Sequence, residues 1–187
     1  MTLPTKLTLA RILLTFLIMA LIFAPGVAAK SVALACFLLA SLTDWLDGWL
    51  ARRRRQTSPL GALLDPIADK ILVLGLLLSF VQLGLVQAWM VLLIALREFV
   101  ITGLRLVAAN RQIVLPAEKA GKHKTVSQMV AIGIVLLALI LQERSAAQVW
   151  RRELIHASMW VALILTVISG ASFCWRHRAV LRETIGH

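Results

Sequence analysis

Acidic residues are scarce in this sequence: nine Asp and Glu among 187 residues, against 20 Lys and Arg, with only 16% of residues charged in all. A chain with so few charges is not a disordered tail. Cysteine is rarer still, and Cys36 and Cys174 alone exclude a disulfide-rich secreted module. Both lie within or at the end of apolar segments with no Cys or His at ligand spacing, so they read as packing residues. The ten glycines rule out a collagenous repeat. Histidine is scattered as His123, His156, His177 and His187, which form no metal-ligand pattern and read as interfacial or surface residues. What the chain has in abundance is apolar surface. With 60% hydrophobic residues and a mean hydropathy of +0.86, it is expected to be largely dissolved in lipid, which excludes most water-soluble enzymes. The net charge of +11 fits positive loops beside anionic lipid. The basic residues sit between apolar segments without a nucleic-acid motif, so no nucleic-acid partner is expected.

Six apolar stretches, each near the ~20 residues that cross a bilayer, predict an all-α polytopic membrane protein with six transmembrane helices. They run from about Leu7 to Ala24, closed by Pro25-Gly26; from about Val32 into the stretch around Asp44 to Arg52; from Pro59 to about Leu83; from about Ala88 to Ala109; from about Val126 to Leu141; and from about Leu154 to Trp175. Six such spans leave no room for a second soluble domain, so residues 1–187 form one transmembrane domain. Lys6 and Arg11 before an apolar run resemble a signal peptide, but Arg11 sits inside the segment and five further spans need an anchor-type first helix, so no cleavage is expected. The basic residues set the orientation. With the N-terminus inside, inner loops hold Arg52 to Arg55, Arg111, Lys119, Lys122 and Lys124, with Arg176, Arg178 and Arg182 at the C-terminal end. Outer loops hold Lys30, Arg144, Arg151 and Arg152. Both termini are therefore expected in the cytoplasm.

The four aspartates of the chain, Asp44, Asp47, Asp65 and Asp69, all fall within one window of 26 residues. A carboxylate near the bilayer centre costs roughly 2.5 to 3.5 kcal/mol on insertion scales. The four must therefore face a polar cavity, near the cytoplasmic ends of their helices. Asp44 and Asp47 are three apart and Asp65 and Asp69 four apart, so each pair projects from one helix face. The polar stretch Arg52-Arg53-Arg54-Arg55-Gln56-Thr57-Ser58-Pro59 ends in a helix-start proline, and a hairpin there would bring the pairs together. Converging carboxylates repel unless cations neutralise them, and hard oxygen ligands select Mg²⁺, Mn²⁺ or Ca²⁺. Gly48, Ala51 and Gly61 let a ligand or helix approach closely. With Arg52 as a diphosphate partner, the set reads as a metal and nucleotide-diphosphate pocket.

The run Asp44-Trp-Leu-Asp47-Gly48-Trp-Leu-Ala51-Arg52, then eight residues, then Gly61-Ala-Leu-Leu-Asp65-Pro-Ile-Ala-Asp69, resembles the signature of the CDP-alcohol phosphotransferase family without a departure. The resemblance implies six transmembrane helices, usually in a homodimer, with a site open to the cytoplasm and the membrane. It implies two divalent cations, Mg²⁺ or Mn²⁺, held by Asp44, Asp47 and Asp65, with Asp69 beside them in the metal set and acting as general base. It also places Gly48, Ala51, Arg52, Ser58 and Gly61 around the CDP-diacylglycerol.

Outside the signature, Leu7-Thr8-Leu9-Ala10-Arg11, Arg97-Glu98-Phe99 with Arg105, and Gly121-Lys122-His123-Lys124-Thr125 with Gln128 are similar to the bacterial branch of the family that uses sn-glycerol 3-phosphate. Pro4-Thr5 stands where many relatives have Pro-Asn. That likeness implies CDP-diacylglycerol plus glycerol 3-phosphate giving phosphatidylglycerophosphate and CMP. A dianionic acceptor needs fixed cations, and the candidates are Arg97, Arg105, Lys122 and Lys124, with Glu98 partnering one of the arginines. Lys122 and Lys124 also suit a cytoplasmic loop. Thr8 and Arg11 are candidates for lipid-phosphate contact, and Arg53 to Arg55 for a lipid-facing basic cluster. Cardiolipin, phosphatidylinositol-phosphate and phosphatidylserine synthases share the signature. A divalent-cation transporter or a membrane scaffold would also gather aspartates, but has no need for Gly48, Ala51, Arg52 and Gly61 at fixed offsets.

Overall fold

The computed structural model describes residues 3–54, 59–110, 119–143 and 148–178, with side chains described outside 3–7, 44–54, 59–66, 110, 119–123 and 148–149. These residues form six α-helices: α1 (Leu3–Phe23), α2 (Val27–Arg54), α3 (Pro59–Gln82), α4 (Ala88–Asn110), α5 (Lys119–Glu143) and α6 (Gln148–Arg176). No strand occurs among the described residues. Each expected span coincides with one helix. The last two begin six or seven residues earlier than hydropathy suggested, so Lys122 and Lys124 lie on the first turns of α5 rather than in a loop. Polar residues at the end of a helix weaken an apolar pattern without unwinding the backbone.

The helices close into a ring in which α1 packs between α2 and α3, α2 on α5, α5 on α6, α6 on α4 and α4 on α3; α3 also meets α5 across the middle. One face of each helix supplies the core: Ile18 and Ile22, Phe37 and Ala40, Leu72 with Leu76 and Phe80, Met90 and Ile94, Ile132 with Leu136, and Met159 with Ala162. The three- and four-residue spacings place each set on one stripe. Outward faces are apolar as well. Leu13 is 65% exposed and Leu92 66%, with Phe16, Leu38, Leu106, Val130 and Ile168 similarly bare. Helices apolar all round suit a lipid solvent, where water-soluble packing would leave large sticky patches. Lys124–Glu143 and Trp150–Arg176 are long and apolar enough to cross a membrane, while Thr8–Phe23 and Val27–Thr43 are apolar over shorter lengths. In α3 and α4 the apolar runs are interrupted by Asp69-Lys70 and by Arg97-Glu98.

Polar groups inside the bundle are met locally. Thr15 donates to the Arg11 carbonyl at 2.9 Å, Ser79 to that of Gly75 at 3.0 Å and Thr166 to that of Ala162 at 2.6 Å, all one turn back. Where α1 ends, the chain turns through Pro25 and Gly26, whose φ of 95° is a left-handed conformation suited to glycine. Lys30, expected among the outer-loop charges, is instead buried and donates its ammonium to the carbonyls of Ile22 and Ala24, the latter at 2.7 Å. It caps the C-terminus of α1, where a cation also complements the helix dipole. Lys30→Met should lower stability by about 2 kcal/mol, the worth of a charged hydrogen bond at carbonyls with no helical partner. Thermal unfolding in detergent measures it; an unchanged midpoint would show that water replaces the cap.

Candidate active site

Successive helices alternate in direction, so the N-terminal turns of α1, α3 and α5 meet the C-terminal halves of α2, α4 and α6 at one end of the bundle. The side-chain bonds between helices bear this out. At this end Arg11 of α1 reaches Asp69 of α3, Lys70 of α3 reaches Thr102 of α4, Lys124 of α5 reaches Glu98 of α4, and Arg97 of α4 reaches Ser169 of α6.

A cleft of about 220 Å³ opens here between α3, α4 and α5. Asp69, Lys70, Val73 and Leu74 line it from α3; Glu98, Thr102 and Arg105 from α4; and Lys124, Thr125, Gln128 and Met129 from α5. Three cations and two carboxylates thus share one small volume. Asp69 is half-exposed and accepts from Arg11 Nη1 at 2.6 Å through Oδ1, while the Arg11 side chain is almost wholly buried. Such a fixed guanidinium holds the carboxylate in one orientation. Lys70 Nζ donates to Thr102 Oγ1 at 2.7 Å. Lys124 is buried and ion-paired to Glu98 Oε1, which also accepts from Arg97 Nη1 at 3.3 Å. Behind the cleft, Gln128 Nε2 donates to Thr166 Oγ1 at 2.9 Å and ties α5 to α6.

The expected acceptor residues therefore separate. Arg105 and Lys124 face the cleft. Arg105 also lies over the Phe173 ring, 5.3 Å from its centroid. Arg97 is not among the lining residues: Nη2 donates to Ser169 Oγ at 2.8 Å and Nη1 to Glu98, so it works as a strut between α4 and α6. Gly170 makes room for it, since a Cβ there would come within 3.0 Å of Arg97 Cγ. Glu98 partners Arg97, as one of the two expected arginines, and adds Lys124. Thr8 and Arg11, expected at lipid phosphate, are 1% and 3% exposed, and Arg11 pairs with Asp69.

Asp44, Asp47, Gly48, Ala51 and Arg52 lie on the last turns of α2, and Gly61 and Asp65 on the first turns of α3, the same end as the cleft. Their side chains, and that of Lys122 on α5, lie outside the described residues; so do Ser58 and Arg55 altogether. The donor chemistry of the four aspartates, all carboxylate oxygen, suits a hard divalent cation. Sequence reasoning missed Lys70, Thr102, Ser169 and Gly170. Lys70 had a readable signal, being a cation next to Asp69 in an apolar helix, and Thr102 lies one turn after Glu98. Ser169 and Gly170 gave none, because small residues are common in membrane helices for packing alone.

Comparison with known proteins gives the family. A family model described as CDP-alcohol phosphatidyltransferase matches residues 1–168. A Bacillus subtilis protein named CDP-diacylglycerol–glycerol-3-phosphate 3-phosphatidyltransferase is 39% identical over 97% of this chain and 98% of its own. A Rickettsia typhi protein of the same name is 34% identical over 91% of this chain and 94% of its own. Similarity that runs through both chains nearly end to end, on top of a family match that includes all four aspartates, places this chain in the CDP-alcohol phosphatidyltransferase family.

Proposed function

We propose that this protein transfers the phosphatidyl group of CDP-diacylglycerol to sn-glycerol 3-phosphate, giving phosphatidylglycerophosphate and CMP. The observation that carries the reading is the 39% identity over 97% of the chain to a relative whose name specifies that donor and acceptor. The cationic cleft supports it, because Lys70, Arg105 and Lys124 beside Asp69 suit a small phosphorylated acceptor better than an uncharged one.

In the proposed reaction the acceptor hydroxyl attacks the phosphorus that bears the diacylglycerol. The bond to the CMP oxygen breaks, CMP leaves with the electron pair, and Asp69 takes the hydroxyl proton. Arg11 holds the Asp69 carboxylate in place at 2.6 Å. Lys70, Arg105 and Lys124 bind the acceptor's phosphate and fix its hydroxyl end toward Asp69. Gly48, Ala51, Arg52, Ser58 and Gly61 surround the CDP portion. Asp44, Asp47, Asp65 and Asp69 would hold one or two Mg²⁺ or Mn²⁺ ions, which when bound neutralise the diphosphate and the departing CMP. All six helices cross the bacterial inner membrane, with both termini and the cleft on the cytoplasmic side, in a homodimer. The residues that interrupt the hydropathy of α3 and α4, Asp69, Lys70, Arg97 and Glu98, are those that face or brace the cleft, which reconciles their charge with membrane burial.

An acceptor-competition assay tests the reading. Purified protein given CDP-diacylglycerol, Mg²⁺ and radiolabelled glycerol 3-phosphate should release CMP and place label in lipid. Serine, inositol phosphate or phosphatidylglycerol at equal concentration should not compete. Lipid product formed from one of these instead would reassign the acceptor, and metal uptake into vesicles without CMP release would favour transport.

A further inference from the structure

A second opening lies at the other end of the bundle, along the seam of α5 and α6. Its volume is about 210 Å³, and Ile134, Leu137, Ala138 and Leu141 of α5 face Trp150, Arg151 and Leu154 of α6 across it. The α5 residues recur at three and four positions and form one stripe; those of α6 occupy one turn. Buried Ala138 makes the floor, while Leu137, Leu141, Leu154 and above all Trp150, 78% exposed, are left bare along the walls. A single charge, Arg151, stands at the mouth, and among the described residues it has no carboxylate partner.

We infer that this seam is a binding site for one anionic phospholipid, with an acyl chain along Ile134 to Leu141 and the lipid phosphate on Arg151. The lining is apolar except for Arg151, which matches an amphiphile with a hydrocarbon tail and a phosphodiester head. Trp150 beside Arg151 suits the boundary between hydrocarbon and headgroups. Leu141 is seventeen residues beyond Lys124 on α5, or about 25 Å at the helical rise, so a lipid held here cannot present its phosphate to Asp69. It is therefore an accessory lipid of the opposite leaflet rather than a second substrate. The inference rests on the membrane-spanning reading and is independent of which acceptor is used.

The test is native mass spectrometry of the full chain taken from nanodiscs of phosphatidylcholine containing a minority of phosphatidylglycerol, with CMP release measured on the same samples. Wild-type protein should retain one phosphatidylglycerol in preference to phosphatidylcholine. Arg151→Gln should weaken retention about tenfold, the worth of one charged hydrogen bond. Leu137→Trp, which fills the channel from a half-exposed position, should abolish it, and Arg152→Gln, an exposed neighbour outside the lining, should leave it unchanged. Equal retention of the two lipids, unaltered retention in Arg151→Gln and Leu137→Trp, or equal loss in Arg152→Gln would each overturn the site. Failure of the membrane reading looks different: every variant, and the wild type, would stay soluble without detergent and fail to enter nanodiscs.

Discussion

Asp69→Asn should abolish turnover while leaving the bundle folded. The expected fall in rate is about 10²- to 10⁴-fold, the contribution of a positioned general base. Asparagine keeps an oxygen where Asp69 Oδ1 now accepts from Arg11, 2.6 Å away, so the link between α1 and α3 survives in shape. What is lost is the charge, and with it the ability to take a proton. The stability readout should move less than the rate, because the site is half-exposed on the Asp69 side and the Arg11 cation can still donate to the amide oxygen. Removing Arg11 is a different experiment: Arg11→Met leaves the carboxylate ionisable but unanchored, and should lower the maximal rate without abolishing it. The pair is read from CMP release at saturating substrates, with thermal unfolding as the check on folding. Near-normal turnover in Asp69→Asn would take the base role away from Asp69, and complete loss in Arg11→Met with an intact fold would mean that the guanidinium itself touches the reacting groups.

The six helices were legible because each carries a long apolar run, and such runs survive the loss of any single residue. The aspartates stood out through spacing, since Asp44, Asp47, Asp65 and Asp69 sit where solubility cannot explain them, and the structure places Asp69 in a cleft at the end of the bundle where α2 finishes and α3 starts. Less readable was anything that depends on which partner a polar side chain finds. Lys30 looked like a loop charge and is a helix cap. Lys124 looked equally like a loop charge, yet it is buried against Glu98 on a helix that hydropathy began at Val126. In both cases a lysine near the end of an apolar run carries the same hydropathy whether it points to water or into the bundle, and only the position of a neighbouring helix decides. Lys70 was hidden for another reason: it stands directly after Asp69, which by itself accounts for the polar break in α3. Arg97 and Arg105 show the limit of face arguments: eight residues apart they do share the face toward α6, where they meet Ser169 and Phe173, but the cleft reaches only the second.

That difference predicts a split between the two arginines. Arg105→Ala should raise the KM for glycerol 3-phosphate about ten- to a hundredfold, the range for losing a charged contact to phosphate, with little change in the KM for CDP-diacylglycerol. Its cation lies over the Phe173 face of α6 and lines the cleft, a contact worth about 0.5–1 kcal/mol, so the melting temperature should fall less than in Arg97→Ala. Arg97→Ala should do the reverse in emphasis. It removes the bond to Ser169, the contact to Glu98 and the side chain packed on Gly170, and leaves Glu98 with Lys124 as its described ion-pair partner. A loss of about 2–3 kcal/mol is expected for taking one member out of a largely buried charged set. The affinity for both substrates should then fall together, since the α4–α6 contact that shapes the cleft has loosened. Arg97→Lys should recover little, because an ammonium cannot span Ser169 and Glu98 with the fixed fork of a guanidinium. Initial rates with each substrate varied in turn, alongside thermal unfolding, separate the cases. A selective effect of Arg97→Ala on glycerol 3-phosphate at unchanged stability would move Arg97 into the acceptor pocket. An equal effect of Arg105→Ala on both substrates would take Arg105 out of it.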